Sequence, residues 1–332
     1  MCDLICRRPA MLAGLAFYGI GAFAALFSAN FEMLLTARIV SAVGSIGTQT
    51  ILRDRFQGQQ LAQIFSSVGI AVALSPAIGM AIGAVAVGLA SYAGVFATLA
   101  ALALLLFAWT SASLPETQPT SVKPVSFWDT AIMMIKEGRI WCSAFLVALF
   151  NLSLFGYDQL SPFQLEQLSH GSGEMGASGV LLSLGTLLGA MANRKLLQKG
   201  WEPERLVFVS CVLATAGGLL VALLGSSFMF IVPVAMVAFA FALAIPNILA
   251  PALKDYSDRL RTAGAIFGMK YYLLLGAGLW LSGLAQNLGA VLLASGLGAL
   301  TITMLKPKSR AARQTGDTAT RKPVRLYREL FR

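Results

Sequence analysis

Apolar residues in this chain do not alternate with polar ones. They run together in ten blocks, at about Ala10–Ser28, Met33–Leu52, Ala62–Gly88, Tyr92–Leu114, Ile140–Leu160, Gly176–Arg194, Leu206–Gly225, Phe228–Leu253, Ala263–Leu284 and Leu288–Leu305. An α-helix needs about 20 such residues to cross a bilayer. Strands of a membrane barrel would instead alternate in polarity over about 10 residues. The pattern therefore predicts an all-α polytopic membrane protein of about ten transmembrane helices. The first block follows Arg7 and Arg8, as a secretory signal would. It exceeds the roughly 7–15 apolar residues of a signal and further blocks follow, so it is expected to stay as a helix.

Four blocks precede and six follow a polar stretch, Leu114–Arg139. It carries Glu116, Lys123, Asp129, Lys136, Glu137 and Arg139 with Pro115, Pro119 and Pro124. Proline and charge together break a membrane helix and favour a solvated linker. The expected organisation is an amino-terminal bundle (1–113), a linker (114–139), a six-helix bundle (140–305) and a basic tail (306–332).

Charge fixes the orientation. With the amino terminus in the cytoplasm and sides alternating, 23 of the 25 Lys and Arg residues fall on cytoplasmic segments. The other two, Arg38 and Lys270, lie inside blocks. Short cytoplasmic loops collect Lys and Arg in this way. The linker and carboxyl terminus are thus expected in the cytoplasm, with the protein crossing the cell inner (plasma) membrane many times. The net charge of +10 is explained by this bias, and no nucleic-acid partner is expected. The tail ends in RKPVRLYRELFR, which either lies on an anionic leaflet or is a solvated basic tail. Composition agrees with the membrane assignment. The chain is 57% hydrophobic and 12% charged, against roughly 25% charged in soluble domains, and its mean hydropathy is +0.74.

Other chemistry is scarce. The four cysteines form no CxxC pair, and His170, the one histidine, stands in a predicted loop. There is no HExxH, Asp-rich pair or phosphate loop. Neither an enzyme nor an ATP-driven pump is expected, and no metal or cofactor.

Several short patterns line up with a known family. Asp3-Leu4-Ile5-Cys6-Arg7-Arg8-Pro9 resembles the end of D-x-x-G-R-R-P, the cytoplasmic gate-loop signature of the major facilitator superfamily, with Cys6 for Gly. Arg38-Ile-Val-Ser-Ala-Val-Gly44, followed by Arg53-Asp54, resembles that family's fourth helix, with Ser41 for Gln. Ser75-Pro76-Ala77-Ile78-Gly79 is similar to the helix bend of drug–proton antiporters, with Met80 for a second Gly. Leu114-Pro115-Glu116-Thr117 resembles the ending after the sixth helix. Ser161-Pro162-Phe163 and Asn193-Arg194-Lys195-Leu196 resemble the Bcr/CflA-like drug-resistance branch. The resemblance covers residues 3 to about 305.

It implies a major facilitator fold in which these helices correspond to the third to twelfth of the family. The amino-terminal bundle is then a four-helix part, and the first two helices are expected to stand outside this sequence, through a misplaced start or a truncation, the alternative being a protein built with ten helices. Weak transport by the 332 residues alone is expected. The implied activity is secondary active, proton-coupled efflux of drugs or other small molecules, by a monomer whose partners are its substrate and the lipid bilayer, with the proton gradient as energy source. A siderophore or metabolite exporter, or a non-transporting remnant, would show the same pattern.

Ionisable residues inside membrane helices are costly, which makes them candidates for function. In related transporters an arginine at the position of Arg38 is associated with proton coupling; a structural arginine satisfied by carbonyls is the alternative. Asp158 either binds and releases a proton or faces periplasmic water. Lys270 either binds an anionic group in a cavity or snorkels to the cytoplasm. Tyr157 and Tyr271, with Phe150, Phe239 and Phe241, either line an apolar substrate pocket or pack. Pro76 and Gly79 mark the antiporter-type bend or plain packing, and Gly79 with Gly83 forms a GxxxG pair, repeated at Gly185/Gly189 and Gly264/Gly268. Pro246, Asn247 and Pro251 are hinge candidates. Asp3, Arg7 and Arg8 form the expected cytoplasmic gate loop.

Overall fold

The structure is a computed structural model that describes residues 7–43, 58–114, 127–169 and 171–305. Asp3, the Arg53–Asp54 pair, most of the 114–126 stretch, His170 and the basic tail lie outside the described residues. Every regular element among the described residues is helical. In chain order these are α1 (Arg7–Leu26), α2 (Phe31–Val43), α3 (Gly58–Ser113), α4 (Phe127–Lys136), α5 (Gly138–Gln167), α6 (Ser172–Gln198), α7 (Pro203–Leu224), α8 (Ile231–Ala252), α9 (Leu260–Ala285) and α10 (Leu288–Leu305), with short 3-10 turns at Phe228–Phe230 and Lys254–Arg259.

Seven of the described helices are long and apolar enough to cross a membrane, and Met11–Leu26 is a shorter apolar helix. One of the seven, Ala77–Ser113, has 37 residues where about 20 suffice. Its helix is interrupted at Ala90 and Ser91, with Ser91 at φ 55°. The chain turns back there. A Cβ added to Gly94 would collide with the Ala86 carbonyl oxygen, eight residues earlier, an approach impossible in a straight helix rising 1.5 Å per residue. The limbs 58–89 and 92–113 are therefore separate segments, matching the third and fourth apolar blocks.

Two departures from the expected boundaries bear on function. Residues 127–136, expected as solvated linker, form a helix. And α5 continues to Gln167, seven residues beyond the Leu160 expected from hydropathy. Pro162 lies inside it without ending it, so Asp158 and Glu166 share one helix.

Close approach of backbones holds the bundle together. Lipid offers no hydrophobic contrast to drive helices together, so association depends on small residues that admit close packing. Gly185 and Gly189 set α6 against the backbone of Ala235 and Phe239 on α8; Gly218, Gly289 and Gly296 interlock α7 with α10; Gly21 lets α1 meet Ala37 and Ser41 of α2. The other two GxxxG pairs behave differently. Cβ atoms on Gly79 and Gly83 would meet nothing within 4 Å, and those on Gly264 and Gly268 only ordinary contacts at 3.8 and 3.9 Å.

Buried side chains gather in two clusters. One is centred on Met134, Ile140, Phe150, Tyr256 and Phe267. The other, around Tyr157, Leu165, Phe230 and Leu292, sits at the opposite end of the helices. The first two helices pack against each other and α1 against α3. The seam between this group and the later helices is α3 against α6.

Candidate functional site

The seam is built by the 58–89 limb of α3. The Ala77 amide donates to Ser183 Oγ on α6 at 2.8 Å. This amide directly follows Pro76 in the chain, and the serine of the neighbouring helix accepts its hydrogen bond. One to two turns on, a Cβ at Gly176 of α6 would lie 3.2 Å from Ala84 Cβ and 3.6 Å from the Met80 carbonyl oxygen. It is Gly176, on the facing helix, that makes the close contact expected of Gly79 and Gly83.

Those two glycines leave room instead. Gly83 lines a cleft of about 460 Å³, together with Met80, Ala84 and Val87 of α3, Pro162, Leu165 and Glu166 of α5, and Gly171 and Met175 near the start of α6. It is open to the surface and predominantly apolar, and among its described lining residues Glu166 carries the carboxylate. Tyr157 lies in the core one turn before Pro162, fully buried. Its hydroxyl lies beside Ser161 and Ser178, whose own Oγ atoms donate elsewhere, Ser161 to Met175 Sδ at 3.4 Å and Ser178 to the Met175 carbonyl at 2.7 Å.

Asp158 is exposed on α5. The next residue ties the helix to α9, with Ser282 Oγ donating to Gln159 Oε1 at 3.0 Å. Arg38 is exposed on α2, whose main packing partner among the described elements is α1, so the structure does not bring Arg38 to Asp158. Arg8, at the start of α1, donates to the Ser111 carbonyl at 2.6 Å. That places a cation on the last turn of α3, where carbonyls lack helical partners. Phe150 is fully buried in the first cluster, and Tyr271 packs against that cluster, its ring 4.3 Å from that of Tyr272. Tyr157 and Tyr271 thus belong to opposite ends of the bundle and do not share a pocket. Asn247 is buried and donates to Asn193 Oδ1 at 2.7 Å, joining α8 to α6 beside Pro246. Such an amide pair contributes about 0.6–2 kcal/mol in a membrane protein.

Lys270 is placed far from the cleft. It is 6% exposed, and Nζ donates to the Met134 carbonyl of α4 at 2.7 Å. The same ammonium lies 4.4 Å from the centre of the Trp141 ring, and Trp141 Nε1 donates to the neighbouring Ile135 carbonyl at 2.9 Å. The last carbonyls of a helix have no partner within it. Here a cation from α9 and an indole from α5 serve α4 in that role, with the helix dipole and the ring face both favouring the positive charge.

Around this latch runs a charged network. Arg139 bridges Glu137 and Asp255, at 2.9 Å to the former, and the Tyr256 hydroxyl donates to Glu137 Oε2 at 2.6 Å. Arg139 holds the Asp255 carboxyl below its usual range. Burial, with the Glu137 bond, pushes the Tyr256 phenol up to about 12. The signs give a broad plateau. The Asp255 contribution is present above its unfolded pKa and lost in acid; the Tyr256 contribution is present below about 10 and lost as pH rises towards 12. Between about pH 5 and 9 these two contributions are therefore constant.

Lys270→Met is expected to free the end of α4. A hydrogen bond from a charged donor contributes about 1.5–3 kcal/mol, so trypsin should cleave after Lys136 or Arg139 roughly ten-fold or more faster than in the parent. An unchanged digestion rate would contradict the latch.

Residues 1–279 match the family described as Major Facilitator Superfamily. An uncharacterized transporter of Rickettsia felis is 28% identical over 295 residues, covering 83% of this chain and 73% of that protein. The multidrug resistance protein MdtL of Shewanella oneidensis is 23% identical over 326 residues, covering 93% and 81%. The multidrug transporter MdfA of Shigella boydii is 24% identical over 218 residues, covering 60% and 53%. The chain belongs to the major facilitator superfamily. It is a multi-pass membrane transporter rather than an enzyme.

Proposed function

We propose that this transporter exports lipophilic small molecules across the plasma membrane in exchange for protons. The observation that carries the proposal is the seam, where α3 and α6 meet beside an apolar cleft holding one carboxylate. Its volume falls within the roughly 300–1,000 Å³ of small-molecule sites. Superfamily transporters work by rocking one helical bundle against the other, and a substrate held at the seam touches both. The names of the MdfA and MdtL relatives agree with drug export.

Proton coupling is assigned to Asp158, an exposed carboxylate on the helix that lines the cleft, with Arg38 as the counterpart on the first group of helices. No cofactor takes part; the gradient supplies the energy, and the working unit is a monomer. A siderophore or metabolite exporter would share this geometry but prefer polar, anionic cargo, which a cleft with one carboxylate disfavours.

The test is efflux from cells lacking their own drug pumps, with ethidium as a cationic probe and chloramphenicol as a neutral one. Glu166→Gln is expected to weaken ethidium export roughly two- to five-fold, the effect of one partly exposed charge pair, and to leave chloramphenicol export unchanged. Equal loss of both would remove Glu166 from substrate selection. Export of neither probe by the parent, expressed from its whole reading frame, would overturn the proposal.

A further inference from the structure

After Phe127, the nine remaining residues of α4, WDTAIMMIK, sort into three lengthwise stripes. Thr130, Ala131 and Met134 face the protein and are buried. Trp128, Ile132 and Ile135, spaced i, i+4, i+7, form a second stripe and are 74%, 49% and 56% exposed. Asp129, Met133 and Lys136, at the same spacing, form a third. At 3.6 residues per turn the apolar stripe lies about a third of a turn round from the buried face, and the polar stripe lies beyond it. A helix between protein and water needs two faces. One with a third, wholly apolar face has a third neighbour.

We propose that this neighbour is the lipid bilayer: α4 lies on the cytoplasmic leaflet with Trp128, Ile132 and Ile135 in the boundary between headgroups and acyl chains. Continuity with the membrane-spanning surface favours lipid. Only Glu137 separates α4 from Gly138, the first residue of the apolar membrane helix α5, so α4 sits where the hydrocarbon begins. Tryptophan suits that boundary, with an apolar body and a polar N–H. Lys136 places positive charge at headgroup level, complementary to anionic lipid. Lys270 and Trp141 hold the carboxyl end of α4, which fixes the direction of the stripe. The segment joining the two halves of the transporter thereby has one end moored to α9 and one flank moored to lipid.

The inference rests on the cytoplasmic placement of the linker and on α5 crossing the membrane; it does not depend on which substrate is carried. The test uses six single-cysteine proteins, at 128, 132 and 135 and at 129, 133 and 136, with Cys2, Cys6, Cys142 and Cys211 replaced by alanine. Each is nitroxide-labelled in vesicles of phosphatidylethanolamine and phosphatidylglycerol, and its collision rates with oxygen and with a water-soluble nickel chelate are measured. All six positions are exposed in the fold, so the labels leave the buried face intact. Oxygen should dominate at 128, 132 and 135, and nickel at 129, 133 and 136. Nickel access at all six would put α4 in water. Spin–spin broadening at 128, 132 and 135 would mean a second copy, and shielding from both reagents another protein. Each of these results overturns the proposal. Transport measured in the same vesicles is a separate readout: its loss counts against the proposed function and leaves the accessibility pattern to be judged alone.

Discussion

Leucine at Gly185 is expected to strip most of the folded protein from the membrane. A Cβ there would run into the Ala235 carbonyl oxygen and lie 3.0 Å from the carbonyl carbon. Both atoms belong to backbone, so no side chain can swing aside. Gly189 makes the same approach to Phe239 one turn along, which prevents α6 from pivoting away at one point. The helices must separate over both turns. Overpacking of this kind costs about 1–3 kcal/mol where a core can adjust, and more is expected where backbone meets backbone. The cost spreads, because α6 also carries the seam with α3. Gly79→Ala is the matched control, since its Cβ meets nothing within 4 Å. Thermal denaturation of the solubilised protein, followed by fluorescence-detected gel filtration, should show Gly185→Leu as aggregate or several degrees less stable, and Gly79→Ala at or above the parent. The reverse order would invert this account of the packing.

Asp158→Asn is expected to abolish gradient-driven transport in a protein that still folds. The amide matches the carboxylate in size but cannot ionise, so it cannot take a proton on one side and release it on the other. The side chain is exposed, so no core packing is lost. The neighbouring Gln159–Ser282 tie, which sets the local contact of α5 with α9, is unaffected by the change. With an imposed pH gradient, dye accumulation by proteoliposomes should fall to the level of protein-free vesicles, while Asp158→Glu retains part of it. Full accumulation by Asp158→Asn would return the coupling role to another carboxylate, Glu166 being the one nearest along α5.

The long membrane helices from Ala77 onward were legible because hydropathy alone specifies them, whereas the second apolar block appears among the described residues only as Phe31–Val43, shorter than a span. Even the reversal at Ser91 stood out, as a short interruption between Gly88 and Tyr92. What escaped were features decided by direction rather than by composition. The three GxxxG pairs are identical as patterns, yet only Gly185 and Gly189 face a neighbouring backbone. Spacing places two glycines on one side of a helix and does not say what that side faces. Lys270 has its partner 136 residues earlier, on a helix hidden in a stretch dominated by proline and charge. The stripe Trp128, Ile132, Ile135 was the available signal for that helix. Glu166 lies beyond the Leu160 at which the apolar block ends, whereas Pro162 leaves α5 unbroken to Gln167.

Exchange of protons for a lipophilic substrate is the central claim, and proton release tests it most directly. The protein, produced from its whole reading frame and purified in weakly buffered detergent solution, is mixed with ethidium or chloramphenicol while a pH dye reports free protons. Substrate-dependent proton release from the parent, absent in Asp158→Asn, is the predicted result. Substrate binding with no proton released by the parent would contradict proton-coupled export.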